Sequence, residues 1–188
     1  VGFPVIAPNP RSQVELTAQG VLAENYPVVV ANSTGAFATQ VVNGFTVGLR
    51  AGDVVTGITL RLAVAASGTA PTLARFGLAG PDAKIVALSA DQGAAANWVQ
   101  GPCRFPLTTP YTVQAEGGYY PCLLVNGTWS VTQPTSARLT AGSQFTMIAL
   151  AGFVAPSFQW AGQTDLPAIG AALTITAGGG SSYYMGVY

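Results

Sequence analysis

The stretch Val54-Val55-Thr56-Gly57-Ile58-Thr59-Leu60-Arg61-Leu62-Ala63-Val64 is rich in β-branched residues, and its second half alternates. Ile58, Leu60, Leu62 and Val64 fall on one side, Thr59 and Arg61 on the other. Successive side chains of a strand point to opposite faces, so this period of two describes a strand with one face in a core and the other in water. The preceding run, Phe45 to Arg50, is broken at its two ends by Asn43-Gly44 and Ala51-Gly52-Asp53. Gly and Asn tolerate left-handed backbone and Asp bonds its own backbone, so both breaks read as turns.

The same pattern extends along the chain. Leu73 to Leu78 and Lys84 to Leu88 flank Ala79-Gly80-Pro81-Asp82-Ala83, a hairpin in which Pro81 presets φ and Asp82 caps the turn. A loop of small residues, Asp91 to Asn97, leads to Trp98 and to a strand near Cys103-Arg104-Phe105, where Pro106 and Pro110 predict an edge strand or a crossing between sheets. Glu116-Gly117-Gly118 turns into Tyr119 to Val125, an apolar run of the length of a central strand, closed by Asn126-Gly127. Ser143 to Phe153, Ala171 to Thr176 and Ser182 to Tyr188 read as further strands, the last two separated by Gly178-Gly179-Gly180. Short strands at regular intervals, with no long segment of helical period, predict an all-β fold: an antiparallel β-sandwich, jelly-roll-like, with very little helix. Pro4, Pro8, Pro10 and Pro27 punctuate the start, so residues 1–27 are expected to form an extended N-terminal arm and residues 28–188 the sandwich. Segment 11–23 fits either a short strand or a helical turn.

Composition narrows the function. The 188 residues contain no histidine, only seven Lys/Arg and seven Asp/Glu, 23 Gly and 13 Pro, and 49% hydrophobic residues. The commonest general base and metal ligand is missing, which places most hydrolytic and redox chemistry at a disadvantage. The basic residues (Arg11, Arg50, Arg61, Arg75, Lys84, Arg104, Arg138) and the acidic ones (Glu15, Glu24, Asp53, Asp82, Asp91, Glu116, Asp165) are spread without runs. Nucleic acid, which needs clustered cations, is therefore not an expected partner. So sparsely charged a surface points to self-association. Gly, Pro, Ser, Thr or Asn interrupts every apolar run short of the roughly 18–20 residues of a membrane helix, so no membrane insertion is expected. The chain opens on Val1-Gly2-Phe3-Pro4 rather than Met, as a processed chain or a piece of a longer product would.

Few residues offer chemistry. Cys103 and Cys122 lie in successive apolar segments, where two readings stand. A disulfide between neighbouring strands would contribute about 3 kcal/mol, whereas free thiols would be inert core residues. The carboxylates never occur as a close pair, and Asp53, Asp82 and Glu116 sit in turns, where local hydrogen bonding explains them. No calcium-loop pattern occurs, Gly178-Gly179-Gly180 lacks a following lysine, and no metal, cofactor or catalytic residue is expected. Asn32-Ser33-Thr34 and Asn126-Gly127-Thr128 fit a glycosylation acceptor, the second being explained better as a turn. Trp98, Trp129 and Trp160, with Tyr111, Tyr119, Tyr183 and Tyr184, stand in or beside loops. Such aromatics either stack on a ligand or close the ends of the core; Trp98 and Trp129 are the candidates for ligand contact.

Ala51 to Ile58, then Phe76-Gly77-Leu78 with its hairpin to Val86 through Gln92, resembles a domain of minor tail and receptor-binding proteins of tailed phages infecting actinobacteria. Phe105-Pro106-Leu107-Thr108-Thr109-Pro110-Tyr111-Thr112-Val113, Gly118-Tyr119-Tyr120 and Leu123-Leu124-Val125-Asn126-Gly127 strengthen the likeness. So do Leu166 to Gly170 and Tyr183 to Val187; together they span about residues 43 to 188. The resemblance implies a non-enzymatic protein on the virion surface, in a tail fibre, baseplate or capsid position, with no catalytic residues to carry over. The implied partners are other virion proteins, further copies of the chain (a trimer being the favoured homo-oligomer) and a host surface glycan. A capsid decoration or head fibre protein that only stabilises the particle is the alternative.

Overall fold

The computed structural model describes residues 20–24, 33–139, 157–175 and 182–188. Thirteen strands follow one another among the described residues: β1 (Ala23–Glu24), β2 (Ser33–Ala36), β3 (Val41–Phe45), β4 (Val47–Leu49), β5 (Val54–Val64), β6 (Leu73–Ala79), β7 (Ile85–Leu88), β8 (Gly101–Thr112), β9 (Gly117–Asn126), β10 (Thr135–Leu139), β11 (Ser157–Ala161), β12 (Ser182–Tyr183) and β13 (Met185–Val187). They build two antiparallel sheets. In the first, β5 is central, with β8 along one side and β13 and β10 sharing the other; β1 continues from β13, while β2 and β12 pair with β10. The second has the order β11-β3-β9-β6-β7, with β4 also on β9.

The alternation of β5 holds for Ile58, Leu60 and Leu62 but not at two positions: Val64, at the end of the strand, is 42% exposed, and Thr59, expected in water, is buried with its hydroxyl donating to the Cys103 carbonyl at 2.8 Å. Ile58, Leu60 and Leu62 enter the space between the sheets beside Phe105, Met185 and Val187, and they meet Phe45, Phe76, Leu78, Leu123 and Val125 of the second sheet. The expected hairpin forms, with Gly77 opposite Leu88 and Leu78 opposite Ala87. Asn126-Gly127 turns where expected: Gly127 has φ +99°, a left-handed conformation that a side chain would strain. In β8, Cys103, Phe105 and Leu107 are buried, while Pro102, Arg104, Pro106 and Thr108 are exposed. β8 pairs with β5 on one side, and its Leu107 forms a bridge to Ser89, just beyond β7 of the second sheet. That is the edge and crossing its prolines predict, because proline cannot donate to a second ladder. Helix among the described residues is one 3-10 turn, Ala95–Asn97.

Further expectations change. Asn43-Gly44, read as a turn, lies inside β3, with Gly44 opposite Phe158 on one side and Cys122 on the other; the missing side chain of Gly44 leaves room for the Phe158 ring. Residues 20–24, assigned to the arm, join the sandwich: Ala23 pairs with Val187, Glu24 with Gly186, and Leu22 N–H donates to the Val187 carbonyl at 2.7 Å. The strand expected from Ala171 to Thr176 is absent over 171–175. Its apolar residues serve another purpose, because the outer face of the second sheet is itself apolar. Val42, Cys122, Leu124, Phe158 and Ile85 line that face, and Leu166 and Leu173 cover them. The covering segment is pinned by the Ala172–Lys84 bridge and by Leu173 N–H donating to the Ala83 carbonyl at 2.8 Å. The arm before residue 20, the strand expected within 143–153, Asn32 and Gly178-Gly179-Gly180 lie outside the described residues.

Candidate functional site

Trp98 and Trp129, the candidates for ligand contact, are core residues, 0% and 3% exposed. Trp98 packs 4.8 Å from Trp129 and 4.9 Å from Phe105, which stacks on Phe76 at 4.1 Å. The indole N–H groups donate to backbone carbonyls of one loop, Trp98 to Gln92 at 2.6 Å and Trp129 to Gly93 at 2.9 Å. Asp91 fixes the same loop by accepting from Ala74 N–H and Gly93 N–H, both at 2.9 Å. Strand alternation leaves the ends of a sandwich open. These indoles close one end, and their N–H groups find the partners that make burial tolerable.

The cysteines are not bridged. Cys103 points from β8 into the space between the sheets, whereas Cys122 points from β9 to the outer face of the second sheet. With one thiol between the sheets and the other on the far side of the second sheet, the two side chains point away from each other, which removes the geometry a disulfide needs. Cys122 Sγ donates to the Gly77 carbonyl, and burial pushes its thiol up to about 12. Burial also raises the Cys103 thiol, which donates to the Val99 carbonyl at 2.9 Å.

The closed end carries a second feature. Loops 37–40, 65–72, 89–100, 127–134 and 162–165 converge there and are tied to one another. Ala66 N–H donates to the Trp98 carbonyl at 2.9 Å, Ser67 bridges Thr132, Gly127 N–H donates to Thr39 Oγ1 at 2.7 Å, and Gln163 N–H donates to the Gln40 carbonyl at 3.0 Å. Apart from two acids, the exposed side chains on these loops are hydroxyls, amides, alanines (Ala38, Ala70, Ala90, Ala94 and Ala96) and two valines, Val99 at 52% and Val131 at 76%. The two acids there are occupied: Asp91 holds its loop, and Asp165 pairs with Arg75. The opposite end is charged, with Arg50 and Asp53 between β4 and β5, Asp82 and Lys84 between β6 and β7, and Glu116 between β8 and β9. The Lys84 backbone N–H and ammonium hold the Asp82 carboxyl below its usual range. Asp53 Oδ2 accepts from Arg50 N–H at 2.8 Å, the local turn bonding expected of it.

The tyrosines divide between strands and core. Tyr119 donates to the Ala115 carbonyl at 2.9 Å, Tyr183 to the Ala36 carbonyl at 2.6 Å, and Tyr184 to Glu24 Oε2 at 2.9 Å, while Tyr111 lies 6.2 Å from Tyr119. Trp160 is the half-buried tryptophan, seated on β11 rather than in a loop. The spacing Phe158-Gln159-Trp160 before Gly162 already carries a period-two signal that would have placed it on a strand face. Among the described residues no three Cys, Asp or Glu side chains gather as a metal site would need. The arrangement at the closed end provides neutral hydrogen-bonding groups held in fixed positions. No protein-family description, curated protein or solved structure matches this chain.

Proposed function

We propose that the chain is a non-enzymatic virion-surface domain of a tailed phage infecting actinobacteria, part of a tail fibre or minor tail protein that attaches the particle to its host. One observation carries the reading beyond the resemblance. The loops meet at one end of the sandwich as a hydrogen-bonded surface whose two carboxylates are held, Asp91 by backbone N–H groups and Asp165 by Arg75, while Arg50, Asp53, Asp82, Lys84 and Glu116 stand on the loops of the other end. Loops on a rigid sandwich are the usual place for recognition, because the scaffold holds them without needing their chemistry. A surface of fixed hydroxyls, amides and valines suits adhesion to an uncharged host envelope polymer.

The test is competition: purified, correctly assembled protein is added to virions and host cells. Reduced adsorption supports attachment, provided that Val131→Asp or Gln100→Lys, which place charge on the neutral end, weaken the competition while Glu116→Lys at the far end leaves it unchanged. An intact assembly that neither binds cells nor competes would overturn attachment and favour a capsid decoration or head fibre role.

A further inference from the structure

We propose that Trp160, together with Gln40, Asn126 and Gln163, forms a binding site for an uncharged sugar residue of a host polysaccharide. This rests on the attachment reading and names its ligand class. Trp160 lies opposite Val42, Val42 opposite Leu124, and Leu124 opposite Arg75, so these four form one row across the outer face of the second sheet. Asn126 stands two residues beyond Leu124 on the same strand and therefore shares that face. Gln40 joins it, donating from Nε2 to Asn126 Oδ1 at 3.4 Å, while Asn126 Nδ2 donates to the Thr164 carbonyl at 3.1 Å. Gln163 N–H donates to the Gln40 carbonyl at 3.0 Å and Gln163 Nε2 to the Ala161 carbonyl at 3.2 Å. Three carboxamides are thereby fixed beside one half-buried indole at the rim of the neutral loop end.

Each part matches what a pyranose or furanose ring presents. The apolar C–H face of a sugar packs on an aromatic ring, and its hydroxyls both donate and accept, as a carboxamide does. Gln40 and Gln163 each spend one side-chain N–H within the protein and keep a carbonyl oxygen and a second N–H for a ligand. Trp98 and Trp129 spend their indole N–H groups on backbone carbonyls. The Trp160 indole N–H meets no acceptor among the described residues. The charges at this corner, Arg75 and Asp165, pair through Arg75 Nη1, so a phosphate or sugar acid would have to compete with Asp165 for the guanidinium.

The experiment uses carbohydrate released from actinobacterial host envelopes and separated by anion exchange into uncharged and acidic fractions. The intact protein is titrated with each while tryptophan fluorescence and its quenching by acrylamide are followed. The uncharged fraction is expected to bind and to shield Trp160, with affinity changing less than about twofold across a wide range of salt, because no charge pair holds the ligand. Trp160→Ala and Gln163→Ala each lower affinity about tenfold or more, the scale of removing an interface anchor. Trp160→Phe keeps a ring in place and loses less. Because Trp160 also packs on the sheet, Gln163→Ala with an unchanged unfolding midpoint is the variant that separates binding from folding. Envelope binding that survives both Trp160→Ala and Gln163→Ala would move the site elsewhere and leave attachment standing. Preference for the acidic fraction, lost in high salt, would overturn the ligand class alone. No envelope binding by the native assembly would overturn both readings.

Discussion

At the scale of single residues, Cys122 joins burial to a measurable pH dependence. Its thiol is fully enclosed under the covering segment of the second sheet, and desolvation holds its folded pKa near 12 against an ordinary value near 9. Folding therefore favours the neutral thiol. Its contribution to stability is complete below the unfolded pKa and is lost as pH rises from about 9 toward about 12, because over that window the unfolded chain has released a proton that the folded chain retains. Burial raises Tyr183 as well and adds to the same alkaline slope. Chemical denaturation between pH 8 and about pH 11 should show a falling midpoint, with a shallower fall in Cys122→Ala. Ellman's reagent should find no reactive thiol in the native chain and two after unfolding, without any reductant. A native protein without titratable thiols in denaturant would instead hold a disulfide. The side to which each cysteine points was not legible in the sequence, since it depends on which sheet each strand joins. The burial of Trp98 and Trp129 likewise depends on carbonyls of a loop whose path no local pattern announces.

At the scale of elements, β5 and the β6–β7 hairpin were legible because alternation and turn chemistry are local. The apolar alternation near Leu173 and Ile175 has the same look but a different cause. These residues cover a sheet face rather than pairing in a ladder, and sequence period alone does not separate the two. Gly77 shows how closely the cover sits. A Cβ there would lie 3.0 Å from Leu166 Cδ1, 3.1 Å from Leu88 Cδ2 and 3.3 Å from Cys122 Sγ. The added methyl group requires these side-chain ends to give way by a few tenths of an ångström, and in a face this tightly covered such overpacking costs about 1–3 kcal/mol. Gly77→Ala should lower the thermal midpoint by several degrees, by about 2–4 °C per kcal/mol in a chain of this size. Asp165→Ala should do less. The Arg75–Asp165 pair that anchors the cover is 26% and 45% exposed, and pairs open to solvent contribute about 0–1 kcal/mol. If the two variants ranked the other way in a melting experiment, the ion pair rather than the packing would hold the cover in place.

At the scale of the whole molecule, charge and hydrophobicity set what the surface does with other copies. Seven basic and seven acidic residues leave no net charge to keep chains apart. Large apolar side chains stay exposed at separate places: Leu22 beside β1, Val54 and Val64 at the two ends of β5, Val99 and Val131 on the neutral loops, and Ile169 on the covering segment. Contacts between such surfaces are apolar rather than ionic, so the association that the composition predicts should respond to salts in a characteristic way. Sodium chloride, which screens charges, should leave the sedimentation profile unchanged if the chain self-associates through these apolar surfaces, because screening acts on a term that is already near zero. Ammonium sulfate, excluded from apolar surface, should shift the distribution to larger species. Sedimentation velocity across both series, at a fixed protein concentration, distinguishes the mechanisms. An oligomer that dissociates as sodium chloride rises would be held by paired charges, and a chain that stays monomeric in both salts would have no self-associating surface.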